Sequence, residues 1–360
     1  MKKSLSKTIL IIVFNTFVFL IIINFLIIIL WPLYSSQTHT KHNFQPEQAK
    51  LLNLSEKDLI ILHNETWRNF DKFKFLPFIG HTETKRVGKF VNFTEEDGRK
   101  VNRPVSCKKN LIMYGGSTTF GYNVTDNQTI ASYLQEYLGK NFCVYNHGRA
   151  YFYSKQENNL FQNHIEEKKK IDYAIFLDGV NERCGSYEYA HHLNNSFNFL
   201  TERPYKMWRT ASVNFIYSLP ISQFFNSLFG KGRWINDPKN NILDISQCKK
   251  NIPLDFLFEK RISSRNAICR TYEVNCFTFL QPFPRISGKT LEEVRGKKID
   301  KLNKKYDVLK KIVRKNFLID LQYVLQNDND NDLSYIDATH YTPSSNDKIA
   351  FEISKLIFIN

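Results

Sequence analysis

Beyond residue 110 the chain alternates short apolar runs with stretches of helical character, and this alternation limits its fold more tightly than any other feature. Leu111-Ile112-Met113-Tyr114, Phe142 to Tyr145, Tyr173-Ala174-Ile175-Phe176-Leu177, Val274 to Leu280 and Phe317 to Leu321 read as strands. They are short, rich in β-branched and aromatic residues, and bounded by turn-forming residues. Between them Thr129 to Leu138 reads as helix. Ser154 opens another helix, with Glu157 three residues on to complete a capping box. Thr290 and Glu293 cap a third, and Thr342-Pro343 starts the last with proline at the first helical position. Strands that alternate with helices predict an α/β sandwich, doubly wound about a mostly parallel five-stranded sheet. In such a sheet, ligands bind beyond the carboxyl ends of the strands.

The N-terminus is different in kind. Ile9 to Trp31 is nearly all Ile, Leu, Phe and Val, a run of 23 residues, which as a helix is roughly 35 Å long and crosses a bilayer core. A cleaved signal peptide is the competing reading, but no small-x-small site follows the run. Trp31-Pro32-Leu33-Tyr34 follows instead and suits an interfacial belt. Lys2, Lys3 and Lys7 precede the run with no acid beside them, which keeps the N-terminus cytoplasmic and exports the rest. The expected organisation is a cytoplasmic tail over 1–7 and a single-pass anchor over 8–34. A stalk and lead-in segment over 35–105 and a main domain over 106–360 follow, the latter with an insertion at 183–250. The insertion is rich in aromatics such as Tyr187, Trp208 and Trp234. It reads as a cap, a surface for membrane or glycan, or an accessory subcore.

The formal charge is +15. Runs such as Glu166-Glu167-Lys168-Lys169-Lys170 mix the signs, so solvated lysine accounts for it. No zinc-finger spacing or basic-region helix points to nucleic acid. The six cysteines match no metal-binding spacing, and in an exported domain an even count permits disulfides. Cys184 and Cys248 bracket the insertion and form a candidate pair. Asn53, Asn64, Asn92, Asn123, Asn127 and Asn194 begin Asn-x-Ser/Thr triplets, which matter where exported proteins are glycosylated.

Polar residues gather at the strand exits. Gly115-Gly116-Ser117-Thr118 follows the first strand, Asn146-His147-Gly148 the second and Gly179-Val180-Asn181-Glu182 the third; Asp337-Ala338-Thr339-His340 precedes the last helix. A serine hydroxyl needs a base within hydrogen-bond reach, and the base needs an orienting group. His340 fits the first role and Asp337, three residues upstream, the second. The N–H of Ser117, the N–H of Gly148 and the side-chain amide of Asn181 are candidate donors to an oxyanion. Taken singly each motif is a common turn or cap; their joint order at successive strand exits is what carries the reading.

These blocks resemble the SGNH (GDSL-type) hydrolase superfamily over residues 106–360. The resemblance implies a flavodoxin-like three-layer α/β/α fold, a catalytic set of Ser117, Asp337 and His340, and ester hydrolysis without metal or organic cofactor. Two positions depart from the family pattern. Glu182 stands where relatives have Asp, and Tyr151 where they often have a second glycine. Three functions are in competition: an esterase acting on an O-acyl, including O-acetyl, group of a glycan or lipid; an O-acyltransferase on a cell-envelope polysaccharide using the same triad; and a catalytically silent binding module. A purely structural anchor protein is the bland option.

Overall fold

The computed structural model describes residues 2–39, 46–67, 73–76, 78–182, 253–283, 289–290, 303–313, 318–326, 333–337 and 339–359. The chain divides into two compact units, residues 1–44 with 187–242 and residues 45–186 with 243–360. In the first unit the described element is α1 (Lys2–His39). Its stretch Lys7–Leu26 is long and apolar enough to cross a membrane. Side chains such as Ile11, Phe14, Phe17 and Phe25 project from it exposed, which is costly in water and favourable in lipid. The insertion and its Cys184 and Cys248 lie outside the described residues.

The second unit begins with α2 (Pro46–Leu52) and α3 (Glu56–Trp67), then the antiparallel pair β1 (Phe73–Leu76) and β2 (Gly80–Glu83). Next come β3 (Phe93–Thr94), β4 (Gly98–Arg99), β5 (Lys109–Gly115), the single turn α4 (Ser117–Phe120) and α5 (Ile130–Leu138). β6 (Phe142–Asn146), α6 (Ser154–Glu166), β7 (Tyr173–Asp178), α7 (Leu254–Thr271) and β8 (Asn275–Leu280) continue the alternation. The C-terminal part holds β9 (Lys289–Thr290), α8 (Asn303–Val313), β10 (Ile319–Asp320), β11 (Leu333–Tyr335) and α9 (Pro343–Ile359).

The central sheet has seven strands in the order β10-β8-β7-β5-β6-β4-β3. Every neighbouring pair is parallel except β3 on β4. The five strands expected from the sequence lie side by side in it, in the 2-1-3-4-5 order of flavodoxin-like folds, and the two short strands beyond β6 come from the lead-in segment. Side chains alternate across the sheet as the pleat requires. Leu111, Met113, Ile175 and Leu177 pack with Ile130 and Leu134 of α5 and Ile349 and Ile353 of α9. Ile112, Tyr114, Ala174 and Phe176 face the other way, against Leu160 and Phe161 of α6 and Cys269 of α7. Both faces are thus covered, which is why these strands read as unbroken apolar runs. The reversal of strand order falls between β5 and β7, so the crevice of an open α/β sheet opens at the exits of those two strands.

One local expectation is corrected. Ser154 is the first helical residue of α6, not its N-cap, which is Tyr153. Its N–H and hydroxyl donate to Glu182, at 2.7 and 2.8 Å, while Glu157 is buried beside Arg265. A tertiary acceptor has displaced the local capping box. Thr290 lies in β9, paired in parallel with β11; Glu293 and the helix expected after Thr290 fall outside the described residues.

The lead-in segment packs into the second unit through polar anchors. Glu65 of α3 accepts from the backbone N–H groups of Lys89, Phe90 and Val91 at 2.7–2.9 Å. Arg99 of β4 is fully buried and donates to Asp126 Oδ1 at 2.8 Å and to the carbonyls of Gly121 and Val124 at 2.7 and 2.8 Å. It therefore sets the path of residues 120–126.

Cys107 and Cys143 form one disulfide, with Cα atoms 5.6 Å apart, and Cys269 and Cys276 a second, at 6.1 Å. The first ties the entry of β5 to β6 across 36 residues. Chain-entropy models give a loop of that length about 4 kcal/mol. The double replacement Cys107→Ser with Cys143→Ser is expected to lower unfolding free energy by about 2–4 kcal/mol in urea titrations of the oxidised protein. An unchanged midpoint would contradict this.

Beneath the sheet, Tyr114 Oη lies 2.9 Å from His164 Nδ1 and stacks on Phe176 at 5.0 Å. Burial, aided by Lys169 and Arg149, pulls the His164 pKa down to about 2, and burial first, then His164 and Arg149, depresses that of His147. Both rings are therefore neutral in the fold, whereas the unfolded chain protonates them near pH 6.5. Below that pH the unfolded state binds more protons, so stability falls with acidification, by up to about 1.4 kcal/mol per pH unit for each ring. Between pH 7 and pH 5, His164→Gln should remove roughly 2 kcal/mol of this loss. Denaturant titrations at the two pH values check it, and an equal pH dependence in variant and wild type would refute it.

Candidate active site

β5 ends at Gly115, and the chain turns at Gly116 into α4, whose first residue is Ser117. The first N–H groups of a helix have no intrahelical acceptor, so Ser117 N–H faces out from this turn. On the opposite side of the crevice, β11 leads through Asp337 to His340, just ahead of α9. His340 is 6 % exposed. Its Nε2 is 2.9 Å from Ser117 Oγ, and its Nδ1 is 2.7 Å from Asp337 Oδ2 and 2.9 Å from Oδ1. An ionised carboxylate only accepts. Nδ1 therefore carries the proton and donates to Asp337, and Nε2 accepts from the serine hydroxyl. Residues 223 positions apart are thus joined in one hydrogen-bonded line.

Asp337 is held from several sides. Oδ1 accepts from the N–H groups of Thr339 and His340 at 2.9 and 2.8 Å, and Oδ2 from Asn123 Nδ2 at 2.7 Å. Burial alone would raise its pKa. The His340 charge and these hydrogen bonds outweigh burial and hold the carboxyl below its usual range. The imidazole is fixed by aromatic neighbours as well. Tyr122 stacks on it at 5.6 Å with planes 22° apart, and Trp67 meets it edge-on at 5.7 Å.

Of the expected oxyanion donors, Asn181 is brought to the serine turn. A Cβ on Gly116 would sit 2.4 Å from Asn181 Nδ2, so only glycine admits the amide this close. One of its two N–H bonds goes to Phe152 O at 2.9 Å; an amide nitrogen has a second. The loop is anchored below by Glu182, which accepts from Ser154 and from Arg261 Nη1 at 3.1 Å. Glutamate in place of aspartate reaches α6 and α7 together.

Gly148 is not presented as expected. Its N–H donates to Asn146 Oδ1 at 3.0 Å, within the second-block loop itself. What the position demands is contact. A Cβ there would lie 2.3 Å from Phe120 N and 2.7 Å from Thr119 C, so glycine lets this loop close onto α4. Asn146 Nδ2 completes the junction by donating to Thr119 O at 2.8 Å. Tyr151, at the departing position, has φ of +60°, the left-handed region that glycine favours.

Trp67, Asn123, Tyr122 and Arg99 had no place in the reading from sequence. Of these the sequence marks Asn123 alone, as the start of an Asn-x-Thr triplet. Its amide is 7 % exposed and bonded on both sides, which leaves it no room to carry a glycan. Among the described residues no group of His, Cys, Asp and Glu could hold a metal ion.

No family profile matches the chain, and no curated protein sequence does. Solved structures do match. A member of the lipolytic protein G-D-S-L family from Veillonella parvula is 10% identical, with 69% of this chain and 98% of that one covered at a TM-score of 0.37. A carbohydrate acetylesterase family member from Sinorhizobium meliloti is 11% identical over 70% and 98%, with a TM-score of 0.39. An acetyl xylan esterase is 11% identical over 69% and 99%, with a TM-score of 0.38.

Proposed function

We propose that this protein is a membrane-anchored serine esterase of the SGNH type that cleaves an O-acyl ester of a glycan or lipid. The line Asp337–His340–Ser117, with contacts of 2.7 and 2.9 Å, is the observation that carries the reading. Ser117 Oγ attacks the acyl carbonyl carbon while its proton passes to His340 Nε2, and the imidazolium is stabilised by Asp337. The oxyanion is met by Ser117 N–H and the second N–H of Asn181. The intermediate collapses, His340 returns the proton to the departing alcohol oxygen, and an acyl-serine is left. Water then gives a proton to His340 and attacks the acyl carbon. The second collapse frees the carboxylic acid and restores Ser117. A sugar hydroxyl in the place of that water would transfer the acyl group instead.

Export of the second unit is supported by the lysines in the first two turns of α1 and by two disulfides, which persist in oxidising compartments. The test uses the full chain in detergent micelles with nitrophenyl esters of graded acyl length and with O-acetylated oligosaccharides. Release of free acid by wild type, lost in Ser117→Ala, is the expected result. Acyl transfer to an added oligosaccharide without free acid would replace the esterase reading with the transferase. No turnover of any ester, with Ser117 unacylated, would leave the silent binding module.

A further inference from the structure

The triad does not end at Asp337. The carboxylate oxygen nearest the imidazole, Oδ2, also accepts from Asn123 Nδ2 at 2.7 Å, and Asn123 Oδ1 accepts from the indole N–H of Trp67. Trp67 is the last residue of α3, in the lead-in segment, and Asn123 sits on the loop that leaves α4. Each link has a fixed direction. The indole can only donate, the carboxylate can only accept, and the amide does one on each side. Reversing the amide would set two acceptors and two donors face to face.

Both ends of the relay are built in. Asn123 has φ of +66°, a left-handed conformation that asparagine tolerates and most residues do not. Arg99 holds the carbonyls on either side of it, at Gly121 and Val124. Trp67 is placed by the hold of Glu65 on the N–H groups of Lys89, Phe90 and Val91. The same indole meets Tyr122 edge-on at 5.0 Å and His340 at 5.7 Å. Hydrogen bond and ring contact thus reach the catalytic dyad from one side chain.

We propose that Asn123 and Trp67 are positioning residues of the reaction, which extend the line to Ser117–His340–Asp337–Asn123–Trp67 and make the lead-in helix a functional part of the site. The inference rests on the serine-esterase reading. Physically, Asn123 fixes the rotation of the Asp337 carboxylate so that Oδ2 stays aimed at Nδ1, and by donating to Oδ2 it draws charge away from His340. Trp67 fixes which way the amide faces. Among the described residues, the titratable and charged groups around the dyad are these. Ser117 and Asp337 contact His340 directly, and Tyr122 stacks on it. Behind Tyr122 stand Arg86, Glu83 and Tyr151.

The test is steady-state kinetics of the full chain in micelles across pH, with whichever ester wild type turns over. Asn123→Gly keeps the left-handed backbone and deletes the amide. It should lower kcat by about 10- to 100-fold, the value of one hydrogen bond to a charged group, with KM within about twofold. The acid limb of its profile should move to higher pH, because Asp337 then bears its full charge beside His340. Asn123→Asp sets a second carboxylate against Asp337, and its profile should gain an ionisation that wild type lacks. Trp67→Phe keeps a ring and removes the donor, and should cost roughly 3- to 10-fold in kcat with KM unchanged. A purely structural role would scale activity with the folded fraction, measured by near-ultraviolet circular dichroism, and leave the profile where it was. If Asn123→Gly fails to fold, Asn123→Asp and Trp67→Phe decide alone. Profiles and kcat matching wild type in these variants, with Ser117→Ala inactive, would overturn the relay and leave the triad standing. Full activity in Ser117→Ala would instead bring down the reading on which the relay rests.

Discussion

Replacing His340 by alanine is expected to lower kcat by roughly 10⁴- to 10⁶-fold. The imidazole is the one base within reach of Ser117 Oγ among the described contacts, and the serine hydroxyl is a poor nucleophile without it. Asp337→Asn should cost less, about 10⁴-fold, because a neutral amide can present the wrong hydrogen-bonding partner to Nδ1 and favour the wrong tautomer. The double variant should be barely worse than His340→Ala, since triad members act as a unit. Residual activity in all of them should depend on Asn181, whose removal costs about 10²–10³-fold in the intact site. Near-additive losses on a free-energy scale for His340 and Asp337 would mean that the two do not serve one proton transfer.

The second large effect is expected far from the reacting atoms. Arg99→Ala should reduce unfolding free energy by about 3–5 kcal/mol, as breaking one side of a buried ion pair does. The guanidinium is wholly buried, and its loss takes the charged donor from the carbonyls of Gly121 and Val124 and from Asp126, which keeps its hydrogen bonds from Asn92. Arg99→Lys retains the charge but cannot reproduce a planar fork that serves three acceptors, so it should recover part of the loss only. Both variants should also lose activity in the folded state, because residues 120–124 carry Tyr122 and Asn123. Urea titrations measure the first effect and kinetics below the transition the second. A loss of less than about 1 kcal/mol for Arg99→Ala would contradict the account of this loop.

What the sequence made legible follows from local physics. β5, β7 and β8 are covered on both faces, so each reads as a plain apolar run. Their alternation with helices leads to a parallel sheet and a site at its carboxyl edge. Ser117, Asn181, Asp337 and His340 stand beside strand exits or a helix start, where short polar motifs are visible against apolar surroundings. What was hidden depends on contacts between distant segments. Asn123 touches Asp337 across 214 residues, and the Asn-x-Thr triplet that marks it in the sequence does not point to that contact. Glu157 satisfied a local capping rule, but Glu182 was nearer to Ser154 in space. The N–H of Gly148 had the right spacing for a donor, yet the side chain two residues earlier accepts it. Strands of two residues, such as β3 and β4, carry too little pattern to be read.

The identity of the nucleophile is the claim on which the rest depends, and one measurement reaches it directly. The full-length protein in micelles is treated with a fluorophosphonate at neutral pH, digested, and mapped by tandem mass spectrometry. The account predicts a single phosphonylated site at Ser117, with labelling lost in Ser117→Ala and strongly slowed in His340→Ala. Labelling at another residue, or undiminished labelling of Ser117→Ala, would contradict it.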